Sequence, residues 1–367
     1  MKSQWKQMGN RTIMPLVRGF VILILVFGAV AGQSRPLSMK TARMVKVEET
    51  RYSMGCLYSI TAWGKEGPGL KLAIDAALDE VDRLDRLLSH YRSDSPLTLL
   101  NRAGWPGPVV PDPELFSFLA RCIDYSRDSD GAFDLTVGPL MRAWGFFRGE
   151  GKYPTDTQLL DALAPVGYRH VRLDHAAGSV SFDRPGVELD PGGVAKGYAV
   201  DRAAMILRRA GVRAALISAG GSSIFAIGHP PHAAAWSIPI QDPLDSERSA
   251  LTVGLRDQAL SVSGSAEKYF EYEGRRYSHI MDPRTGRPVE DVLSVALITE
   301  SGIDGDALDN ALFVLGPTGS RTLIGKYRVR EALFFVPNQP VGQKTGQKTG
   351  QKPDHLPHPP WKLIRLR

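Results

Sequence analysis

Apolar residues recur at helical spacing through LKLAIDAALDEVDRLDRLLSHY, where Ile74, Ala77, Leu78, Val81, Leu84 and Leu88 fall on one face. That spacing predicts an amphipathic helix. A second helix is predicted from Asp112-Pro113, a capping carboxylate followed by proline at the first helical position. Its apolar face carries Leu115, Phe118, Leu119 and Cys122. MGCLYSITAWG, Met54 to Gly64, has strand character, and VRLDHAAGSVSFDRPGVELD reads as a hairpin. RAALISAGG and SSIFAIG read as two strands around a glycine turn, and AWSIPIQDP, ALTVGL and QALSVSG add further strands. DALDNALFVLG predicts a short helix stopped by Gly316, and REALFFVP is expected to be the last strand. Strands come in adjacent runs with helices between them. This favours an α+β fold with mixed sheets over a doubly wound parallel sheet.

The two ends read differently. A basic stretch to Arg18 precedes the apolar run Phe20 to Ala31, which closes on Ala29-Val30-Ala31. Its 12 residues are short for a span of about 20. We expect residues 1–31 to be an export signal, or else an anchor, followed by a linker over 32–44. No cysteine follows the run as a lipid-attachment site, so a lipoprotein is not expected. The tail over 337–367 carries the repeat GQKTGQKTGQK and then prolines, and is expected to stay outside any core. The ends hold +4 and +5 of the net +6, which leaves −3 between them. A nucleic-acid binder would carry its basic excess on the folded part, so that class is set aside. Cys56 and Cys122 could pair in an exported protein, but Cys122 lies on an apolar helix face and reads as a buried thiol.

Four stretches carry candidate chemistry. ELDPGGVAKGYAVD passes from an extended run through Pro191-Gly192-Gly193 into a helix bearing Lys196. A helix start offers unpaired N–H groups and partial positive charge, which suit a phosphate. SHIMDPRTGRPV sets His279 beside a rigid turn, where an imidazole can act as a general base. Asp306, Asp309 and Asn310 stand at i, i+3 and i+4 and share a helix face of oxygen donors suited to Mg²⁺. Tyr91 and Phe133 could stack on a planar ligand, with Asp134 accepting from it. Each stretch, taken alone, also reads as an ordinary capped turn or core segment.

Their order together is more specific. Met54-Gly55, Ser89-x-Tyr91-x3-Ser95-x5-Asn101, GAFDLTVGPL, DPGGVAKGYAVD, AGG, SG, SHIMDPRTGRPV and DALDNALFVLG resemble the ApbE family of flavin transferases, over roughly residues 45–336. The resemblance implies a single catalytic domain of T-fold-like, mixed-sheet architecture over that range. It implies FAD as substrate, contacted by Met54, Tyr91, Ala132, Phe133, Asp134, Asp190, Lys196, His279, Ile280 and Met281. It implies Mg²⁺ on Gly193 (through its carbonyl), Asp306, Asp309 and Asn310, with His279, Lys196 and Asp306 as catalytic residues. The implied reaction moves FMN from FAD to a Thr or Ser hydroxyl, releasing AMP. The implied acceptor is an exported loop or domain of a membrane flavoprotein, such as an electron-transport or sodium-pumping subunit, on the periplasmic side of the inner membrane. An FAD pyrophosphatase and a non-catalytic FAD-binding protein remain as alternatives. The sequence departs from the family pattern at Asn310, where threonine is usual, and at Ser222, where an acid is common. GSAEKYF also replaces a run of the GDYERYF kind.

Overall fold

The computed structural model describes residues 43–147, 149–338 and 360–367. The leader, most of the linker and the Gln-Lys-Thr-Gly repeat lie outside the described residues. The strands are β1 Met44–Ser53, β2 Cys56–Lys65, β3 Val171–Asp174, β4 Ser179–Phe182, β5 Ala214–Ala219, β6 Ser223–Ile227, β7 Trp236–Asp242 and β8 Asp245–Leu255. They continue with β9 Gln258–Gly264, β10 Tyr269–Tyr272, β11 Arg275–Ser278, β12 Met281–Asp282, β13 Arg287–Pro288, β14 Ser294–Thr299, β15 Glu331–Pro337 and β16 Trp361–Leu366. The helices are α1 Pro68–Leu88, α2 Pro96–Ala103, α3 Pro113–Asp128, α4 Gly138–Ala143, α5 Asp156–Leu163, α6 Ala195–Arg209, α7 Gly302–Gly319 and α8 Arg321–Lys326.

One sheet, in the order β1-β2-β5-β6-β9-β14-β15-β16, organises the fold. Its neighbouring strands pair antiparallel throughout. The period of two along a strand sends alternate residues to opposite faces. In β14, Val295 and Leu297 join the larger core with α1, α6 and α7. Ala296 and Ile298 join a smaller core on the other face, under the β7–β8 hairpin. β15 repeats the division, with Ala332, Phe334 and Val336 on one side and Leu333 and Phe335 on the other. Fully burying each of these phenylalanines contributes about 2–3 kcal/mol.

The helix predictions hold in α1 and α3, and Asp112 caps α3 by accepting from the Glu114 and Leu115 N–H groups. Cys122 is a buried free thiol and Cys56 is also free. Three boundaries need correction. β1 begins at Met44, inside the expected linker. α7 begins at Gly302, before the predicted stretch, and breaks where Gly316 has φ 65°. β15 is not the last strand, because β16 pairs with it from Pro337↔Trp361 to Ala332↔Leu366. Phe335 and Trp361 meet edge-on at 5.0 Å, and Trp361 Nε1 donates to Asp242 at 3.1 Å, tying the end of the tail to the β7–β8 hairpin. Covering the edge of β15 is the physical gain.

Helices α6 and α7 cross at two glycines. A Cβ on Gly197 would lie 2.1 Å from the Gly302 carbonyl oxygen. Asp201, one turn along α6, accepts from the Gly302 and Ile303 N–H groups at 2.6 and 3.0 Å, capping the start of α7. Burial raises the Asp201 pKa to about 6. We expect Gly197→Ala to cost about 3 kcal/mol, since backbone cannot yield as a side chain can. Thermal unfolding checks this, and an unchanged Tm would contradict so close a crossing.

Candidate active site

The approach to α6 is fixed from both sides. Asn101 brackets Leu189, donating to its carbonyl and accepting from its N–H, each at 2.9 Å. The Asp190 N–H donates to the Leu135 carbonyl at 2.7 Å. Asp190 Oδ1 then accepts from the Gly192 N–H at 2.8 Å, which shapes the Pro-Gly-Gly turn. Asp190 does not cap the helix. The cap position is Val194, which offers no side-chain acceptor. Lys196 is the second residue of α6. Its ammonium donates to Ser222 Oγ. Among the described residues it forms no direct ion pair, although its charge acts on the Asp306 and Glu267 carboxylates across the corner.

A cavity of about 500 Å³ opens at this corner, within the range of small-molecule and cofactor sites. It is lined by Met54, Tyr91, Ala132, Phe133, Asp134, Asp190, Gly193, Lys196, His279, Ile280, Met281 and Asn310. Of the candidate residues only Asp306 and Asp309 do not line it.

On the β1–β2 side, Met54 and Gly55 form a two-residue turn with φ 48° and 74°. Positive φ at both positions matches the twist of a hairpin, and a non-glycine there is held at a cost of about 1–3 kcal/mol. Tyr58 Oη donates to Met54 Sδ at 3.2 Å and fixes that side chain. Asp134 is largely spoken for. Its carboxylate accepts from Thr136 N and Oγ1 at 2.8 and 2.7 Å and from the Tyr168 N–H at 2.6 Å. It orders the turn behind Phe133 while still lining the cavity.

His279 faces the cavity from the loop after β11, partly open to it. Its Nδ1 lies 3.1 Å from the Lys268 carbonyl oxygen. A carbonyl can only accept, so Nδ1 carries the hydrogen and Nε2 keeps its lone pair. Burial, with Lys268 and Lys196 nearby, lowers the pKa from 6.5 to about 4. The ring is neutral at pH 7 and competent as a base.

Behind the corner, Asp306 is a clasp. Oδ1 accepts from Ser223 at 2.8 Å and Ser261 at 2.6 Å, and Oδ2 accepts from the Gly197 N–H at 2.6 Å. Three of about four carboxylate lone pairs are used. Ser261 Oγ also lies 2.6 Å from Asp309 Oδ2. One hydroxyl has one hydrogen, so one of these contacts needs a carboxylic proton. Burial, reinforced by Asp306, pushes Asp309 well up, and we place the proton there.

Asn310 Nδ2 lies 3.0 Å from the Gly193 carbonyl oxygen, 2.8 Å from that of Asp306 and 2.9 Å from Asp309 Oδ1. Three oxygens thus converge on one amide nitrogen that has two hydrogens. Such a surplus of hard acceptors around one point fits a small divalent cation. The fit relies on backbone carbonyls. Among the described residues no group of three His, Cys, Asp or Glu gathers to hold a metal.

Sequence reasoning passed over Ser223, Ser261 and Asp201, whose roles arise only when the sheet and the helix crossing bring them to Asp306 and α7. It also passed over His90, which stands between the noticed Ser89 and Tyr91.

This fold and site define a ligand-binding cleft at a helix start facing an imidazole, and comparison identifies the lineage. The ApbE family model matches residues 54–334, and the chain belongs to the ApbE family. It is 33% identical over 343 residues to the FAD:protein FMN transferase of Treponema pallidum, covering 88% of this chain and 91% of that protein. The crystal structure of the ApbE protein of Thermotoga maritima superposes with a TM-score of 0.72 at 30% identity, covering 79% of this chain and 94% of the other. The apo flavinyl transferase ApbE of Pseudomonas stutzeri gives 0.72 at 31% identity, covering 82% and 94%.

Proposed function

We propose that this protein transfers FMN from FAD to a Thr or Ser hydroxyl of an exported flavoprotein domain, releases AMP, and depends on Mg²⁺. One observation carries the reading. A neutral imidazole and an ammonium with no direct ion pair among the described residues line the same cavity beside a helix start whose cap residue, Val194, offers no side-chain acceptor. Relatives that cover most of the chain are named FAD:protein FMN transferase.

In the proposed step the acceptor oxygen attacks the phosphorus bonded to the flavin half. A new P–O bond forms there, and the bond from that phosphorus to the oxygen bridging to AMP breaks. The hydroxyl proton passes to His279 Nε2, a contribution of about 10²–10⁴ in rate. Lys196 and the start of α6 stabilise charge on the phosphoryl oxygens. The Gly193 and Asp306 carbonyls, the free Asp306 lone pair and Asp309 would hold magnesium, in place of the Asn310 amide hydrogens that now face them, so the amide oxygen expected as a ligand at 310 is turned away. Bound there, magnesium would neutralise diphosphate charge. The apolar leader and the basic residues before it support export, with the acceptor a loop or domain of a membrane flavoprotein on the periplasmic side.

Asn310→Thr should keep the fold and lower the Mg²⁺ concentration for half-maximal FAD binding several-fold. It removes the N–H groups that now occupy the three oxygens. Titrating Mg²⁺ against flavin fluorescence checks this, and an unchanged or higher midpoint would contradict it.

The reading itself is tested by incubating the protein with FAD, Mg²⁺ and a candidate acceptor, then running a denaturing gel. Flavin fluorescence on the acceptor supports transfer. Free FMN and AMP without labelled protein would make the chain a pyrophosphatase. FAD that binds and stays intact would make it a binding protein.

A further inference from the structure

His90 is a buried polar group with unfinished hydrogen bonding. Its side chain is 7% exposed, and its Nε2 is buried without a hydrogen-bond partner among the described residues, although the residue lines the cavity. Nδ1 lies 3.4 Å from Asp190 Oδ1. With Nδ1 facing that carboxylate, a neutral ring that places its hydrogen on the Asp190 side leaves a lone pair on Nε2. An acceptor closed off from water costs free energy until a donor arrives.

The surroundings say what kind of donor fits. Tyr91 lies over His90 with ring centroids 3.9 Å apart, and Phe147 lies 5.5 Å from His90 and 4.9 Å from Tyr91. Arg142 covers Phe147 at 3.7 Å and is itself held by Glu188 through bonds of 2.7 and 2.6 Å. His90 and Tyr91 line the cavity, with Phe147 and Arg142 packed behind them. A phosphate, which only accepts, is repelled by the Nε2 lone pair and is drawn instead to Lys196. A planar heteroaromatic ring with an N–H at its edge satisfies both the rings and the lone pair.

We infer that His90 is a ligand-binding residue, whose Nε2 accepts a hydrogen bond from a ring-edge N–H of FAD, either the flavin imide or the adenine amino group. The inference rests on the FAD reading above and assigns a specificity contact within it. The family motif leaves the position between Ser89 and Tyr91 open.

The test measures dissociation constants by flavin fluorescence and calorimetry for the full chain with FAD, riboflavin and ADP. His90→Phe keeps the ring and removes the nitrogen. It should weaken FAD about tenfold or more, and weaken only the half-ligand whose ring edge meets Nε2: riboflavin if the imide, ADP if the amino group. His90→Gln places an amide oxygen near the same point and should recover most of the affinity. Thermal melts confirm that both variants fold, and if His90→Phe does not, the comparison of His90→Gln with His90→Leu decides. FAD affinity within twofold of wild type in the nitrogen-free variant overturns the inference, as does equal weakening of both half-ligands. Wild-type protein that does not bind FAD at all would instead overturn the reading on which the inference stands.

Discussion

His279→Ala retains FAD binding and loses transfer to an acceptor by about 10²–10⁴-fold. The side chain hangs on the Lys268 carbonyl and supports no helix or strand ladder, so its removal leaves the cavity walls standing. Loss of FAD binding in this variant would make His279 a structural residue. The pH dependence is specific. The folded-state pKa is lowered to about 4 from 6.5, by burial first and then by Lys268. The ring is therefore a base above about pH 4, and kcat/KM, which reports the free enzyme, should fall only as pH drops through about 4. The same shift affects stability with a definite sign. As pH falls from 6.5 to 4 the unfolded chain takes up a proton that the fold refuses, so stability is lost across that window. His279→Ala should lack this component of the loss, which chemical unfolding at several pH values would show.

Substitutions at Asp306 separate packing from charge. Asp306→Ala strips the acceptor from the Gly197 N–H and from two serine hydroxyls in a closed core. It should cost about 3 kcal/mol and lose transfer, because the start of α6 is no longer held against α7. Asp306→Asn keeps an oxygen for Gly197 and can donate to the serines, which are able to accept. It should stay within about 1 kcal/mol of wild type and still lose transfer by 100-fold or more, with partial recovery in excess Mg²⁺. Full activity of Asp306→Asn in chelator would show that the carboxylate serves only packing.

These expectations draw on two kinds of information, of which one was legible along the chain. α1 was readable because its apolar residues keep helical spacing over its full length, and α3 because Asp112-Pro113 is a local cap signal. The cavity was readable as an ordered set of motifs, since Met54, Tyr91, Asp190, Lys196 and His279 are each marked by their neighbours. β16 was not, because WKLIRL follows a proline-rich tail and takes strand form only where the edge of β15 and the indole site at Asp242 receive it. The shared face of Asp306, Asp309 and Asn310 followed from helical spacing. The direction of each carboxylate did not, because Ser223 and Ser261 come from strands that reach α7 only through the sheet order. His90 carries no motif signal, and only its burial beside Asp190 sets it apart.

The most direct measurement is a crystal structure of the protein with FAD and Mg²⁺. We expect the diphosphate against the Gly192–Lys196 backbone and Lys196 Nζ, with the metal among the Gly193, Asp306 and Asp309 oxygens and His279 facing the flavin-side phosphorus. A diphosphate lying away from both the α6 start and Asp306 would contradict it.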